Sequence, residues 1–132
     1  MRVHHLAIAC ADIIQSRDLW SKLLNIAPPE IHTLEDRGVK ACAFDTSNLR
    51  IELVQPLDEN SPIAKFVKER GGGLHHVALE TSDIEKEMNR GITSGFKFLG
   101  DKPLVGFENT KVIFMHPKSV GVLVEFVEPP KK

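Results

Sequence analysis

Two histidines and two glutamates recur at matched places in this chain. His5 stands in VHHLAIA (residues 3–9) and His76 in GLHHVALE (73–80). Glu52 stands in IELVQP (51–56) and Glu125 in VEFVEP (124–129). Imidazole nitrogens combined with carboxylate oxygens suit a divalent transition metal that keeps open coordination positions. Two carboxylates balance a dication, so such a site can be buried near neutrality, whereas two bare buried glutamates are very costly. The alternative for the same residues is a pair of buried His–Glu hydrogen bonds with no metal.

Strand alternation selects these histidines over their immediate neighbours. Successive side chains in a strand point to opposite faces. Val3, His5, Ala7 and Ala9 therefore share one face, and His4, Leu6, Ile8 and Cys10 the other. The bulky set is expected to pack under a helix, while the small alanines leave His5 facing open space. By the same parity His76 lies with Ala78, and His75 with Val77 and Leu79. Glu52 separates from Ile51 and Leu53, and Glu125 from Val124 and Phe126. His4 and His75 are expected as packed or solvent-touching neighbours. His32 has no companion and is assigned no role.

The elements that must carry these residues also repeat. Asp12 and Asp83, and Lys40 and Lys111, are separated by the same interval as His5 and His76. Pro56 and Pro129 are separated by the same interval as Glu52 and Glu125. Residues 3–10 alternate as a strand. Asp12 then caps a helix with Ile13, Leu19, Trp20, Leu23 and Leu24 as its apolar positions, Gln15 completes a capping-box-like start, and Pro28-Pro29 stop it. Strands are expected near 30–34, 38–45 and 49–55. The second half reads as a strand at 74–80, a helix over 83–94, and strands near 96–99, 111–115 and 121–127. Each half is thus β-α-β-β-β. Modules 1–58 and 73–129 are joined by a linker helix over 61–70, with Ser61 as N-cap, Pro62 as first helical residue and Gly71 to Gly73 ending it. Neither half can cover its sheet face alone. The expected fold class is α+β, two tandem βαβββ modules forming one cup-shaped eight-stranded mixed sheet in a single domain of residues 1–132.

Composition narrows the function classes. A chain of 132 residues with 42% hydrophobic and 27% charged residues is sized and balanced for one compact globular domain. A formal net charge of −1 offers no basic footprint for nucleic acid or a membrane surface. No apolar run approaches ~18 residues, and Met1-Arg2 leads straight into a strand without a secretory apolar region. Cys10 and Cys42 lie in apolar strand-like runs without metal spacing and read as reduced core thiols, so a cytoplasmic location is the default.

At these residues the sequence resembles the vicinal oxygen chelate superfamily, whose paired βαβββ modules form a metal-bearing cup, and within it the methylmalonyl-CoA epimerase family. The words that carry the resemblance are HHLAIA (4–9), IELVQP (51–56), SPIAKFVKERGGGLHHVALE (61–80) and FMHPKSVGVLVEF (114–126). The resemblance implies that His5, Glu52, His76 and Glu125 ligate one divalent ion per chain (Co, Mn, Ni or Zn), the same four that strand parity selects. It implies an acyl-CoA substrate and a homodimer, whose pairing would cover exposed strand edges.

An epimerase of this kind removes the proton between the thioester and carboxylate carbons and returns one to the opposite face. The task needs a Lewis acid for the enolate and a base on each side of a planar intermediate. The resemblance assigns one base to Glu125 and the other to the acid before a Gly-Val strand, here Asp36 in LEDRGV (34–39) with Glu35 adjacent. Asp stands there where the family has Glu, one methylene shorter in reach. In PLVGFENTKV (103–112), Phe107-Glu108-Asn109 replace a glycine-rich stretch. In the HPKS turn, Lys118 is a candidate to hold a phosphate or carboxylate by charge, against the alternative of a charged turn. The rival functions are a glyoxalase-type lyase acting on a glutathione adduct and a non-enzymatic small-molecule binder. A ring-cleaving dioxygenase fits poorly with two carboxylate ligands in so short a chain.

Overall fold

The computed structural model describes residues 1–131. It comprises two compact units, one of residues His5–His75, the other of Met1–His4 with the chain from His76 on. Along the chain run β1 (Arg2–Ala9), α1 (Ile13–Leu24), β2 (His32–Leu34), β3 (Val39–Asp45), β4 (Arg50–Pro56), α2 (Ala64–Arg70), β5 (Gly73–Glu80), α3 (Ile84–Thr93), β6 (Leu104–Val105), β7 (Lys111–Met115) and β8 (Val124–Glu128). The order β-α-β-β-β occurs twice, with α2 between. Strand pairing is mixed, as the sequence implies: β1 with β4 and β5 with β8 are parallel, β2–β3, β3–β4, β6–β7 and β7–β8 antiparallel.

In the His5–His75 unit the order is β2-β3-β4-β1. The β1–β4 register sets Ala7 against Glu52, and the β3–β4 register sets Ala43 against the same glutamate. One sheet face packs under α1, where Ile13, Trp20 and Leu24 meet Cys10, Cys42, Phe44 and Leu53. On the other face, Ala9, Val39, Ala41 and Val54 lie beneath Ile63, Phe66 and Val67. That apolar packing stops before Glu52 and His5. In the second unit α3 covers the corresponding face, with Ile84 and Met88 over Ile113, Met115, Val124 and Phe126.

Both crossover helices are docked by the same device. Asp12 Oδ1 accepts from the Gln15 N–H at 3.1 Å, and Asp83 Oδ1 from the Lys86 N–H at 3.1 Å. The Ile13 N–H donates to Gln55 Oε1 at 2.8 Å, and the Ile84 N–H to Glu128 Oε1 at 3.0 Å. Amides at a helix start have no intrahelical acceptor. Here one comes from the cap and one from the far end of the strand parallel to β1 or β5. Each helix is thereby pinned to the strand that carries the candidate glutamate.

Several expectations are corrected. α1 ends at Asn25, in the left-handed region at φ 57°, whose N–H donates to the Ser21 carbonyl, before Pro28-Pro29 are reached. Leu19 and Leu23 are 59% and 72% exposed. At 100° per residue they sit roughly 80–120° from the line of Ile13, Trp20 and Leu24, outside the single stripe that reaches the sheet. α2 begins at Ala64, because Ser61 and Pro62 form a turn in which the Ala64 N–H donates to the Ser61 carbonyl at 3.0 Å. The segment expected as a strand at 96–99 makes only one antiparallel bridge, Phe98 to Met115. Phe96 and Phe98 pack on the α3 core instead, and the second strand of that module forms at β6. Gly91 makes this approach feasible, since a Cβ there would stand 2.9 Å from Phe98 Cζ. Gly72, at φ +114°, likewise passes so close to Ala9 that a Cβ would stand 2.7 Å from its carbonyl oxygen. No helix among the described residues is long and apolar enough to cross a membrane.

The α1 core also sets the state of the thiols. Cys10 and Cys42 are free and buried. Burial raises both above the usual thiol value, Cys42 to about 11. At pH 8 about one Cys42 in a thousand is then thiolate, the reactive form. An aromatic disulfide reagent at pH 8 should label neither cysteine in native protein and both after denaturation; rapid native labelling would show that this core opens.

Candidate metal centre

In the His5–His75 unit, His5 Nδ1 lies 3.3 Å from Glu52 Oε2, with the residues 4% and 7% exposed. The geometry follows from alternation on adjacent parallel strands. Glu52 stands opposite Ala7, and His5 is two residues earlier on the same face. Alanine on both sides of Glu52, Ala7 and Ala43, leaves the carboxylate unobstructed by neighbouring side chains of its own sheet.

The second unit repeats the pair. His76 Nε2 lies 3.6 Å from Glu125 Oε1, with the residues 6% and 3% exposed. Ala78 stands opposite Glu125, as Ala7 does opposite Glu52. The other neighbour differs. Phe114 takes the place of Ala43, and its ring meets His76 edge-on with centroids 5.2 Å apart.

The His5–Glu52 separation matches that of two donors on a shared ion, and the His76–Glu125 separation is slightly longer. A good N–H···O bond is about 2.9–3.0 Å long, shorter than either pair. Donors about 2.1 Å from a shared ion stand roughly 3–3.5 Å apart. His5 and Glu52 fall in one group of side chains whose ligand atoms lie within 4.8 Å of one another, and His76 and Glu125 in another. In each unit a buried imidazole beside a buried carboxylate offers the nitrogen and oxygen donors that a divalent ion takes.

The remaining residues singled out by sequence fall outside these pairs. Glu35 and Asp36 are exposed on a 3-10 turn, Glu35–Arg37, closed by Gly38 at φ 69°. Phe107–Asn109 form a turn at the equivalent place before β7, with a different backbone, since Glu108 and Asn109 are left-handed at φ 56° and 61°. Lys118 is exposed on the 3-10 turn Pro117–Ser119, where its backbone N–H donates to His116 Nδ1 at 3.1 Å. His75 is half-buried and edge-on to Phe66 at 5.0 Å, the packed one of the two placements expected of it. His4 is half-buried, and His32 is exposed at the start of β2.

One residue escaped the sequence reading. Arg50 precedes Glu52 by two in β4 and stands opposite His5, so it shares their face. Its Nε lies 3.3 Å from Asp45 Oδ1, with side chains 20% and 78% exposed. The alternation that selects Glu52 selects Arg50 equally. It was missed because it has no counterpart in the second half, where Leu123 stands at the corresponding place, two residues before Glu125.

Residues 4–114 match the family model of the Glyoxalase/Bleomycin resistance protein/Dioxygenase superfamily. The chain is 33% identical over 129 residues to the mitochondrial methylmalonyl-CoA epimerase of Dictyostelium discoideum, covering 96% of this chain and 78% of that one. It is 35% identical over 127 residues to the ethylmalonyl-CoA/methylmalonyl-CoA epimerase of Cereibacter sphaeroides, covering 94% and 95%. Among solved structures it resembles a variant of Streptomyces coelicolor methylmalonyl-CoA epimerase in complex with 2-nitronate-propionyl-CoA, with a TM-score of 0.90, 28% identity and 99% of each chain covered. The chain belongs to the glyoxalase/bleomycin resistance protein/dioxygenase superfamily and, within it, to the methylmalonyl-CoA epimerase family.

Proposed function

We propose that this chain is a methylmalonyl-CoA epimerase, acting on methylmalonyl-CoA or a similar 2-substituted malonyl thioester. The observation that carries the reading is the buried His–Glu pair repeated on equivalent strands, in a chain whose relatives of similar length are such epimerases. His5, Glu52, His76 and Glu125 are the proposed ligands of one divalent ion, with Co, Mn, Ni and Zn as candidates. Such an ion supplies Lewis acidity that offsets the negative charge of the enolate.

The chain's own residues then move the proton. A carboxylate on one face takes the proton from the carbon between thioester and carboxylate, and the C–H electron pair moves into the thioester carbonyl. An acid on the other face delivers a proton to the same carbon, and the carbonyl re-forms. Glu125 is the proposed base on one side and Asp36 on the other, with Glu35 next to Asp36 as the substitute. Lys118, exposed on its turn, is the proposed anion contact for the coenzyme A moiety. The reduced, buried cysteines accord with a cytoplasmic setting.

Wild-type protein incubated with one epimer of methylmalonyl-CoA in deuterated water should exchange the α-proton and give both epimers; no exchange by metal-loaded protein rejects the epimerase. Protein purified without chelator should carry about one divalent ion per chain. His76→Ala should lose it and His75→Ala keep it, and the opposite result would overturn the strand parity.

Asp36→Asn should keep its metal yet slow deuterium entry into one epimer far more than the other. Removal of a general base costs roughly 100- to 10,000-fold. If Asp36→Asn and Glu35→Gln are both silent, the two-base scheme is wrong. We further propose a homodimer. β6 is a short, exposed edge, with Leu104 and Val105 64% and 69% exposed, of the kind a second copy covers. A monomer in sedimentation at micromolar concentration would exclude it.

A further inference from the structure

Just beyond the end of β7, the second unit gathers two lysines around one histidine. The pairing of Phe98 with Met115 continues one step further, where the His116 N–H donates to the Lys97 carbonyl at 2.7 Å. Lys97 therefore stands across from His116, and their side chains share a face. Alternation fixes which face it is. Phe96, Phe98 and Met115 pack on the α3 core. Lys97 and His116 therefore point the other way, the way of Phe114, which stands opposite Glu125. His116 is two residues past Phe114, about 7 Å along the strand. The Pro117–Ser119 turn then brings Lys118 back to the same histidine, its N–H donating to His116 Nδ1 at 3.1 Å. Two more bonds fix this corner. The Lys97 N–H donates to Ser119 Oγ at 3.0 Å, and the Gly121 N–H to the Pro117 carbonyl at 2.7 Å.

Both lysines are exposed. The lysines that form ion pairs among the described residues are Lys65, with Glu69, and Lys111, with Glu128. Among those residues, neither Lys97 nor Lys118 is matched by a carboxylate. A phosphate offers several acceptor oxygens and up to two negative charges, which two ammonium groups meet better than one. We infer that Lys97 and Lys118, drawn together at His116, form a phosphate subsite for the coenzyme A moiety. The inference rests on the epimerase reading and deepens it, giving Lys118 a partner and a defined ligand group. The subsite lies on the face of the proposed base Glu125 but past the strand end. That is where phosphates belong, because the pantetheine arm carries them well away from the thioester. The acyl carboxylate stays beside the thioester and calls for a contact nearer Glu125.

The test compares methylmalonyl-CoA with methylmalonyl-pantetheine, which keeps the acyl carboxylate and lacks every phosphate. In metal-loaded protein, Lys97→Ala and Lys118→Ala combined should raise KM for methylmalonyl-CoA about 10-fold with little change in kcat. KM for the pantetheine thioester should stay within about twofold. Lys97→Arg with Lys118→Arg keeps both charges and should recover most of the loss. Exposed charges are screened by salt, so the wild-type KM for methylmalonyl-CoA should rise with salt while that of the alanine pair barely moves. An equal rise for both thioesters would place the acyl carboxylate here, and no rise for either would remove the lysines from binding. Each of these results overturns the phosphate subsite. A wild type that turns over neither thioester rejects the epimerase reading, and calorimetry with coenzyme A itself then decides the subsite. Binding about 10-fold weaker in the alanine pair keeps it, and equal binding, or none by either protein, rejects it.

Discussion

The costliest thing this chain does is bury two carboxylates. Glu52 and Glu125 are each less than a tenth exposed, and an ionised carboxylate out of water is unfavourable unless opposite charge or donors meet it. Each meets an imidazole, at 3.3 and 3.6 Å. Those distances leave little tolerance in the strands that set them. Parallel pairing of β1 with β4 and of β5 with β8 fixes the height of each glutamate relative to its histidine. The helices make that pairing rigid. Gln55 and Glu128, at the ends of the glutamate-bearing strands, accept the first amides of α1 and α3, so a slip of either strand would break a helix cap as well as a ladder.

A duplicated scaffold produces two similar His–Glu pairs, whereas epimerisation treats the two faces of its intermediate differently. The structure keeps what the scaffold needs identical and lets the rest diverge. Asp12 and Asp83 cap both helices, and Ala7 and Ala78 stand opposite both glutamates. Ala43 against Phe114, and Arg50 against Leu123, are where the copies part. Each of these differences lies on the ligand-bearing face, within two residues of a glutamate along its strand or directly across from it. Substitutions confined to that face leave the α1 and α3 cores intact, because alternation sends those neighbours to the opposite side.

What could be read from sequence was whatever a short-range rule decides. The period of two in VHHLAIA and IELVQP separates His5 from His4 and Glu52 from Ile51 without tertiary information, and Asp12 and Asp83 cap helices by chemistry local to three residues. The errors arise where packing overrides local pattern. The phenylalanines of 96–99 alternate as in a strand, yet both are drawn into the core beneath α3 through the gap left at Gly91. Leu19 and Leu23 look like core residues, but a single helix offers the sheet only one stripe, which Ile13, Trp20 and Leu24 already fill. α1 ends at Asn25 because an asparagine tolerates the left-handed conformation, three residues before the prolines that sequence favoured. Arg50 is legible by the rule that selects Glu52, but it has no counterpart in the second half, where Leu123 stands.

The proposed bases differ most in their access to water. Glu125 is 3% exposed and sits in a strand, where position is closely set and exchange with solvent is hindered. Asp36 is exposed on a turn between β2 and β3, where solvent reaches it freely. A metal ligand benefits from the first environment, because its distance to the ion must not vary. A residue that only accepts and returns protons tolerates the second, and gains there a fast route to bulk water. The shorter reach of aspartate relative to glutamate is also less restrictive on a turn than on a strand, since the backbone of a turn can shift by the length of one methylene without breaking a ladder. On the proposed two-base scheme, burial suits Glu125 to hold its position as ligand and base, and exposure suits Asp36 to exchange its proton with solvent.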